Sequence, residues 1–553
     1  MDLIYIFFVS LMLMTKCTAV VGSPQSQVSV PPSIPIVDES DYTIYYVDSM
    51  SGDDNNDGMT EFTPFKSLDK ITSMEKSSGT KVLFKSGAVF TGDIVLKELG
   101  GTVEKPFILD IYGGTERPTF NGTGGDQVVL IQDDNVRFHN IRITNKAGTR
   151  GICIQALKSG AMKNIEISGC RIEEVNWAGS ASFLGIDPET LDVRAIAPEN
   201  RYNRDYGGII IKASTSKNIG PSWYENLFIT RNEIFQVCRT GILLTTRWGL
   251  RYKPGWGYNE FISDTENWYP SKNIIIQGND ISHAGGDGVV LIGCNGAWID
   301  HNKCFYANFL GRTGHANAGL WPQCSSNAVM QYNEVAYTQM ANGSADGEGL
   351  DVDVGCKNTL IQYNYIHHNA GGGLLICNEA DAIHENTVVR NNIFLANTTT
   401  WKGNMMSITS NPGDIAIYNN LVIVSTDYSP IIYSDDWLKA GKTKNISFRN
   451  NIFMSTSPTV SKFGTENFEN CLFENNLYYN INDFTNDHKN VLIFDPKIIL
   501  PAEFNGFENA LLCRPTEQKV FSSGILIDGM PVKDFAGHST DKIRYLGPFA
   551  RTD

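Results

Sequence analysis

The sequence predicts an all-β chain wound into a parallel β-helix, and three observations predict it. First, a unit of the form apolar-x-x-Asn-x-apolar recurs, as in Ile229-Thr230-Arg231-Asn232-Glu233-Ile234, Ile276-Gln277-Gly278-Asn279-Asp280-Ile281 and Ile361-Gln362-Tyr363-Asn364-Tyr365-Ile366, with steps mostly between 23 and 31 residues. Second, a short apolar strand, usually opened by glycine, follows each asparagine turn. Third, no long amphipathic helix separates these strands, which argues against a doubly wound sheet or a (β/α)₈ barrel. A repeat of this length is one coil that cannot bury its apolar face alone. Stacking about ten or more such coils, roughly 4.8 Å apart, makes a continuous core. Asparagine suits the corner, because it tolerates left-handed backbone angles and its amide can bond neighbours above and below.

Taken in order, residues 1–22 read as a secretory signal. Leu3 to Met14 is an apolar run too short to span a bilayer, with small residues for cleavage after it, although Asp2 precedes it and no basic residue does. Lys16 directly before Cys17 argues against a lipoprotein anchor. The Ser/Pro-rich residues 23–41 read as a flexible leader. Residues 42–135 form an N-terminal cap and the first coils: Ile44 to Val47 is a strand, and Ser67-Leu68 opens a short helix. The regular β-helix is assigned to 136–481 and a C-terminal cap to 482–553. Late coils carry a doubled asparagine: Asn391-Asn392, Asn419-Asn420, Asn450-Asn451 and Asn475-Asn476.

The net charge of −15 over 553 residues, without Lys/Arg runs, argues against nucleic acid and anionic membranes as partners. No later stretch is long and apolar enough to span a bilayer, so a soluble, secreted (extracellular or periplasmic) monomer is expected. Ten cysteines follow the leader with no CxxC pair and no zinc spacing, and they read as small buried side chains rather than as a disulfide framework. Asn121, Asn342, Asn397 and Asn445 each begin a glycosylation sequon.

One strand differs from its neighbours. Aligned on their glycines, the second strands run from Gly208, Gly241, Gly288, Gly319, Gly349 and Gly373. Their outward positions are mostly apolar or neutral, but in Gly349-Leu350-Asp351-Val352-Asp353-Val354 they are Asp351 and Asp353. Alternation puts both carboxylates outside and Leu350, Val352 and Val354 inside. Trp321 precedes Asp351 by one coil, and Pro322, which cannot donate to the ladder, makes that strand locally irregular. Two insertions, 176–206 and the aromatic-rich 247–271, break the period, and loops of this length in a compact repeat are usually functional or disordered.

The opening pattern, Tyr45-Tyr46-Val47, Gly52-Asp53 to Gly58 and Pro64-Phe65-Lys66-Ser67-Leu68, resembles secreted right-handed β-helix proteins of the pectate-lyase-like superfamily, as does the closing Asp534-Phe535-Ala536-Gly537 and Leu546-Gly547. The resemblance covers nearly the whole mature chain. It implies a right-handed coil and a carbohydrate-active protein. It does not choose among hydrolases, lyases and epimerases.

The residues favour hydrolysis. Glycoside hydrolysis uses two carboxyl groups, one protonating the leaving oxygen and one acting as base or nucleophile. Asp351 and Asp353, about 6.7 Å apart at Cα, are the expected pair and lean towards inversion. Glu348, Asp287 and Asp346 are the next candidates. Trp321, Arg247, Trp248, Trp256, His315 and His368 are expected to bind substrate, His283 occupies a comparable turn, and the 248–269 loop is expected to wall the groove. No metal-ligand set is read and hydrolysis needs no cofactor; Ca²⁺ between the two aspartates is the alternative use of that pair. A Ca²⁺-dependent polysaccharide lyase is the enzymatic rival, but Lys212 and Arg247 lie several coils from Asp351. A non-catalytic carbohydrate-binding solenoid is the third reading.

Overall fold

The computed structural model describes residues 30–177, 204–251, 268–310, 317–340, 346–379, 382–397, 404–424, 431–437, 439–464, 467–483, 488–541 and 543–551. Among them, parallel strands stack into a sheet of 14 and a sheet of 24, with a separate two-stranded pair. The larger sheet is two faces of the coil joined at the long strand Ile452–Gly464, which pairs with Leu421–Val424 on one face and Ile432–Tyr433 on the other. Three faces per turn enclose one apolar core that runs from Val47 to Ile481. The chain is a right-handed β-helix.

At the N-terminal end, Ser67 caps the helix Leu68–Ser73 by accepting from the Lys70 amide, and Asp54 in turn accepts from the Ser67 hydroxyl. The described part of the leader, residues 30–41, rests on the coil. Ile34 packs near Phe228 on the outer face of the first sheet, and Arg137 donates to the Pro35 carbonyl.

The asparagines form a buried ladder. The Asn333 amide nitrogen donates to the Asn364 carbonyl oxygen at 2.9 Å, Asn364 to Asn392 at 3.0 Å, and Asn392 to Asn420 at 3.0 Å. Each side-chain oxygen also accepts the backbone N–H of the preceding ladder asparagine, and each Nδ2 donates to a backbone carbonyl one coil back. The ladder residue is not the left-handed one. Positive φ falls on the residue before it, at Arg231, Tyr332, Tyr363, Asn391, Asn419, Asn450 and Asn475. A doubled asparagine therefore divides two tasks, turning the chain and bonding the coils. Asn364→Ala is expected to leave its buried partners unpaired and to destabilise the fold by about 2–3 kcal/mol, read as a lower urea midpoint at unchanged m-value.

Residues 488–492 close the last coil, with Lys489 and Leu492 bridging in parallel to Glu474 and Leu477 and His488 stacked on Phe473. The residues that follow run back along the outside of the second face and cover Tyr363, Tyr365, Ile393, Leu421 and Ile452 with Ala510, Val520, Phe535, Leu546 and Phe549. The left-handed asparagines hold this segment: Asn419 donates to the Tyr545 carbonyl, Asn450 to the Ile525 carbonyl and Asn475 to the Ser523 carbonyl. The doubled form thus marks the coils where the C-terminal segment docks. None of the ten cysteines is in a disulfide, and all but Cys471 are buried. Of the sequons, Asn397 is fully buried and bonded to Asn369, so it is closed to modification; Asn445 is exposed, and Asn342 lies outside the described residues.

Candidate active site

Six successive strands of the third face build the site: β1 (Gly207–Ala213), β2 (Thr240–Thr245), β3 (Val289–Ile292), β4 (Leu320–Gln323), β5 (Glu348–Val352) and β6 (Gly372–Cys377). Their register aligns Ile209, Ile242, Val289, Leu320, Leu350 and Leu374, as expected from the glycines. The glycines are needed for space. A Cβ on Gly319 would lie 2.4 Å from the Gly349 carbonyl oxygen, and one on Gly349 would lie 2.6 Å from the Ile366 side chain.

Leu350 and Val352 point into the lumen. The expected alternation stops there. β5 ends at Val352, and Val354 turns outward into a cluster with Trp321, Leu375 and Cys377. The cause lies one coil back. β4 and β5 share a single aligned pair, Leu320 with Leu350; Pro322 has no N–H to donate to β5, and beyond it the Asp353 N–H donates to the Pro322 carbonyl. The irregularity brings Asp351 and Asp353 to one small cleft of about 40 Å³ on the outside of the coil, lined also by Asp346, Glu348, Trp321 and Cys377. Both aspartates are largely shielded from solvent, at 8% and 9% exposure, without entering the lumen.

The carboxyl groups differ in environment. Burial, then the neighbouring charges of Asp353, Glu348 and Asp346, push the Asp351 pKa well above the usual carboxylate range, and its Oδ1 has no hydrogen-bond partner. Burial, then Asp346, raise Glu348 likewise. Asp353 is raised by burial too, but three donors oppose this: the Val354 N–H at 2.7 Å, the Cys377 thiol at 3.3 Å, both on Oδ1, and the Gln323 amide on Oδ2 at 2.9 Å. The Arg204 charge also lowers it. Asp351 is therefore the member that keeps a proton and Asp353 the member that loses it.

Asp287, expected as a catalytic acid, has a different place. It is fully buried beneath Trp321, accepts from the Trp321 indole at 3.0 Å and the Ala318 N–H at 3.2 Å, and pairs with Arg239 at 2.7 Å. Its carboxylate is committed to holding the tryptophan, and it does not reach the cleft. Trp321 shows little of its surface, at 4% exposure, with Arg204 stacked 4.9 Å from its ring.

Other expected binding residues fall elsewhere. Trp248, in the turn Arg247–Gly249, is buried against Tyr269 and donates to the Ser214 carbonyl; neither it nor Arg247 lines the acid cleft. His368 lies on another face, packed between Tyr337 and Phe504, and His283 stacks on Tyr306 and Phe309. Trp256 and His315 are outside the described residues, as is most of the 248–269 loop. Its foot reaches forward: Arg251 donates to the Ser325 and Gly355 carbonyls, with Trp268 4.4 Å away. Lys212 pairs with Asp205, four coils before Asp353.

Sequence reasoning missed Arg204, Gln323, Cys377 and Trp437. Gln323 and Cys377 occupy the same outward position as Asp353 on the adjoining coils, so the register would have found them. Arg204 and Trp437 come from irregular turns, with only the flagged insertion as a signal for the first. Cys377→Val is expected to remove a donor from Asp353, raise its pKa further, and move the acidic limb of the pH–rate profile upward. Cys377→Ser should keep the limb in place. A shared profile would show that the thiol does not set the ionisation of Asp353.

Known proteins agree with this architecture. Residues 208–422 match the model of the right-handed β-helix region. The chain is 27% identical to a lacto-N-biosidase of Bifidobacterium longum subsp. longum over 79% of its own length and 30% of that protein's. It thus spans about a third of that relative. The GH136 lacto-N-biosidase of Eubacterium ramulus superposes with a TM-score of 0.55 at 22% identity, over 70% of this chain and 65% of the other. A complex of XylC with xylose superposes with a TM-score of 0.54 at 14% identity, over 92% and 98%. At these identities the two structures speak for the fold.

Proposed function

We propose that the chain is an exported glycoside hydrolase that cleaves a neutral oligosaccharide in the Asp351–Asp353 cleft, and that a lacto-N-bioside is its first substrate to test. The observation that carries the reading is the pairing of a proton-holding carboxyl with a hydrogen-bonded carboxylate at one cleft, the division of labour that glycoside hydrolysis requires. Asp353, held by Gln323, Cys377 and the Val354 N–H, serves as base or nucleophile. Asp351 holds the proton to be given to the leaving oxygen. Asp346 lines the same cleft, is more exposed than Asp351, and is the alternative donor. The negative charge of Asp353, in a cleft lined by three further acids, disfavours a uronate, which supports a neutral sugar over a lyase substrate. Two carboxyl groups suffice for the reaction, so no cofactor is invoked. The likeness to a lacto-N-biosidase supports the substrate class, and the apolar leader supports export.

The test is hydrolysis of 4-nitrophenyl lacto-N-bioside and of neutral oligosaccharides by the purified protein, with and without chelator. New reducing ends without unsaturated uronate, unaffected by chelator, are expected. Chelator-sensitive unsaturation would replace this reading with a lyase, and retention on a saccharide column without turnover would replace it with a binding solenoid. Comparing Asp346→Asn with Asp351→Asn names the donor. The variant that keeps activity on a substrate with a good leaving group but loses it on an oligosaccharide lacks the acid.

A further inference from the structure

Resting on the glycosidase reading of the cleft, the two ends of the groove give the substrate a direction. On the N-terminal side the floor is sealed: Leu243, Val290 and Ile292 are at most 1% exposed and packed with Leu250, Ala318 and Trp321. On the C-terminal side the floor continues through Leu375 and Ser407 of β7 (Asn404–Thr409) to Tyr433 of β8 (Ile432–Tyr433), in register. There, Trp437 lines the acid cleft with 51% of its surface exposed. Among the described residues it is the one tryptophan with more than a third of its surface in water. Leaving so large an apolar surface wet is unfavourable unless something covers it. The ring is also held in place. Its Nε1 donates to the Thr409 hydroxyl at 3.0 Å, its turn is pinned by the Ser410 N–H donating to the Asp435 carbonyl, and Tyr433 beside it donates to Asp435 at 3.0 Å.

We infer that Trp437 and Tyr433 form a binding subsite for the leaving saccharide, with the indole as the platform for the apolar face of a sugar ring and the acids between that platform and the sealed end. The sugar whose glycosidic bond is cut lies at the Trp321 end of the cleft, and the released portion lies over Trp437 and Tyr433. An aromatic ring offers a pyranose its C–H contacts at low entropic cost, because the tethered ring has little freedom to lose.

The experiment compares two donors carrying the same lacto-N-biosyl unit: the glycosyl fluoride, whose leaving group reaches no subsite, and the same unit linked to a further disaccharide. For Trp437→Ala, kcat/KM on the saccharide is expected to fall by about tenfold or more relative to its fall on the fluoride. Trp437→Phe should recover most of the difference, since it keeps a platform. Equal losses on both donors, or no loss on either, would overturn the subsite while leaving the glycosidase reading in place. Failure of the unaltered protein to hydrolyse the fluoride would overturn that reading, and the subsite with it.

Discussion

Asp353→Asn is expected to lower turnover by about 10²- to 10⁴-fold with the fold intact, the range typical of a positioned acid or base. The amide keeps the shape of the carboxylate and can still accept from Gln323, so the loss reports charge rather than collapse. Added azide, a small nucleophile that fits where the carboxylate oxygen stood, should partly restore turnover on an activated donor. Retention of full activity would remove Asp353 from the mechanism. Asp351→Asn carries a second expectation. A carboxyl whose pKa is raised on folding binds its proton more tightly in the folded state, so its contribution to stability is lost as pH climbs from the unfolded carboxylate range through the raised value. Near neutral pH the native acid cluster therefore costs stability. Asp351→Asn should raise the melting temperature there while lowering activity, with the stability gain shrinking as the buffer is made acidic.

Arg239→Met is expected to destabilise the protein by about 3–5 kcal/mol, because it strands a fully buried Asp287 carboxylate. The guanidinium and carboxylate are 2.7 Å apart with side-chain exposures of 2% and 0%, and Arg204, at 3.8 Å, is a more distant second cation. The consequence extends to the cleft, because Asp287 also orients the Trp321 indole. Activity should fall more than global stability alone accounts for. Adding Asp287→Asn to Arg239→Met removes the stranded charge and should recover part of the stability, measured by denaturant titration of the single and double variants. A double variant no more stable than Arg239→Met would show that the pair's worth lies in packing instead.

How far the sequence carried depended on how regular each segment is. The strand register from Gly208 to Gly373 was legible because a period of two, a fixed glycine and a ladder asparagine all depend on the same stacking geometry. The outward placement of Asp351 and Asp353 was legible because charge on an otherwise apolar outward row stands out. Asp287 misled for a physical reason. A turn aspartate is ordinarily solvated, and only the approach of Arg239, from a different turn, draws this one beneath Trp321. His368 misled likewise, since the rings stacked on it come from Tyr337 and the distant Phe504. Arg204 and Trp437 reach the cleft from turns whose paths no periodicity constrains. Val354 departs from alternation because Pro322, one coil earlier, withholds the hydrogen bond that would have kept β5 extended.

A stack of coils that touch only their neighbours can grow or fray from either end one coil at a time. The segment after residue 488 removes that freedom. Through it the Tyr363 hydroxyl meets the Lys533 carbonyl 170 positions away, and Gly506 meets Glu334 across 172. Contacts of such span slow folding, since a long loop must close before they form. The middle coils consequently wait, during synthesis, for the segment after residue 488 to emerge, with Tyr363, Ile393 and Leu421 uncovered until it does. The same clasp makes loss of the segment after residue 488 a lesion of the earlier coils it covers, felt as aggregation rather than as fraying.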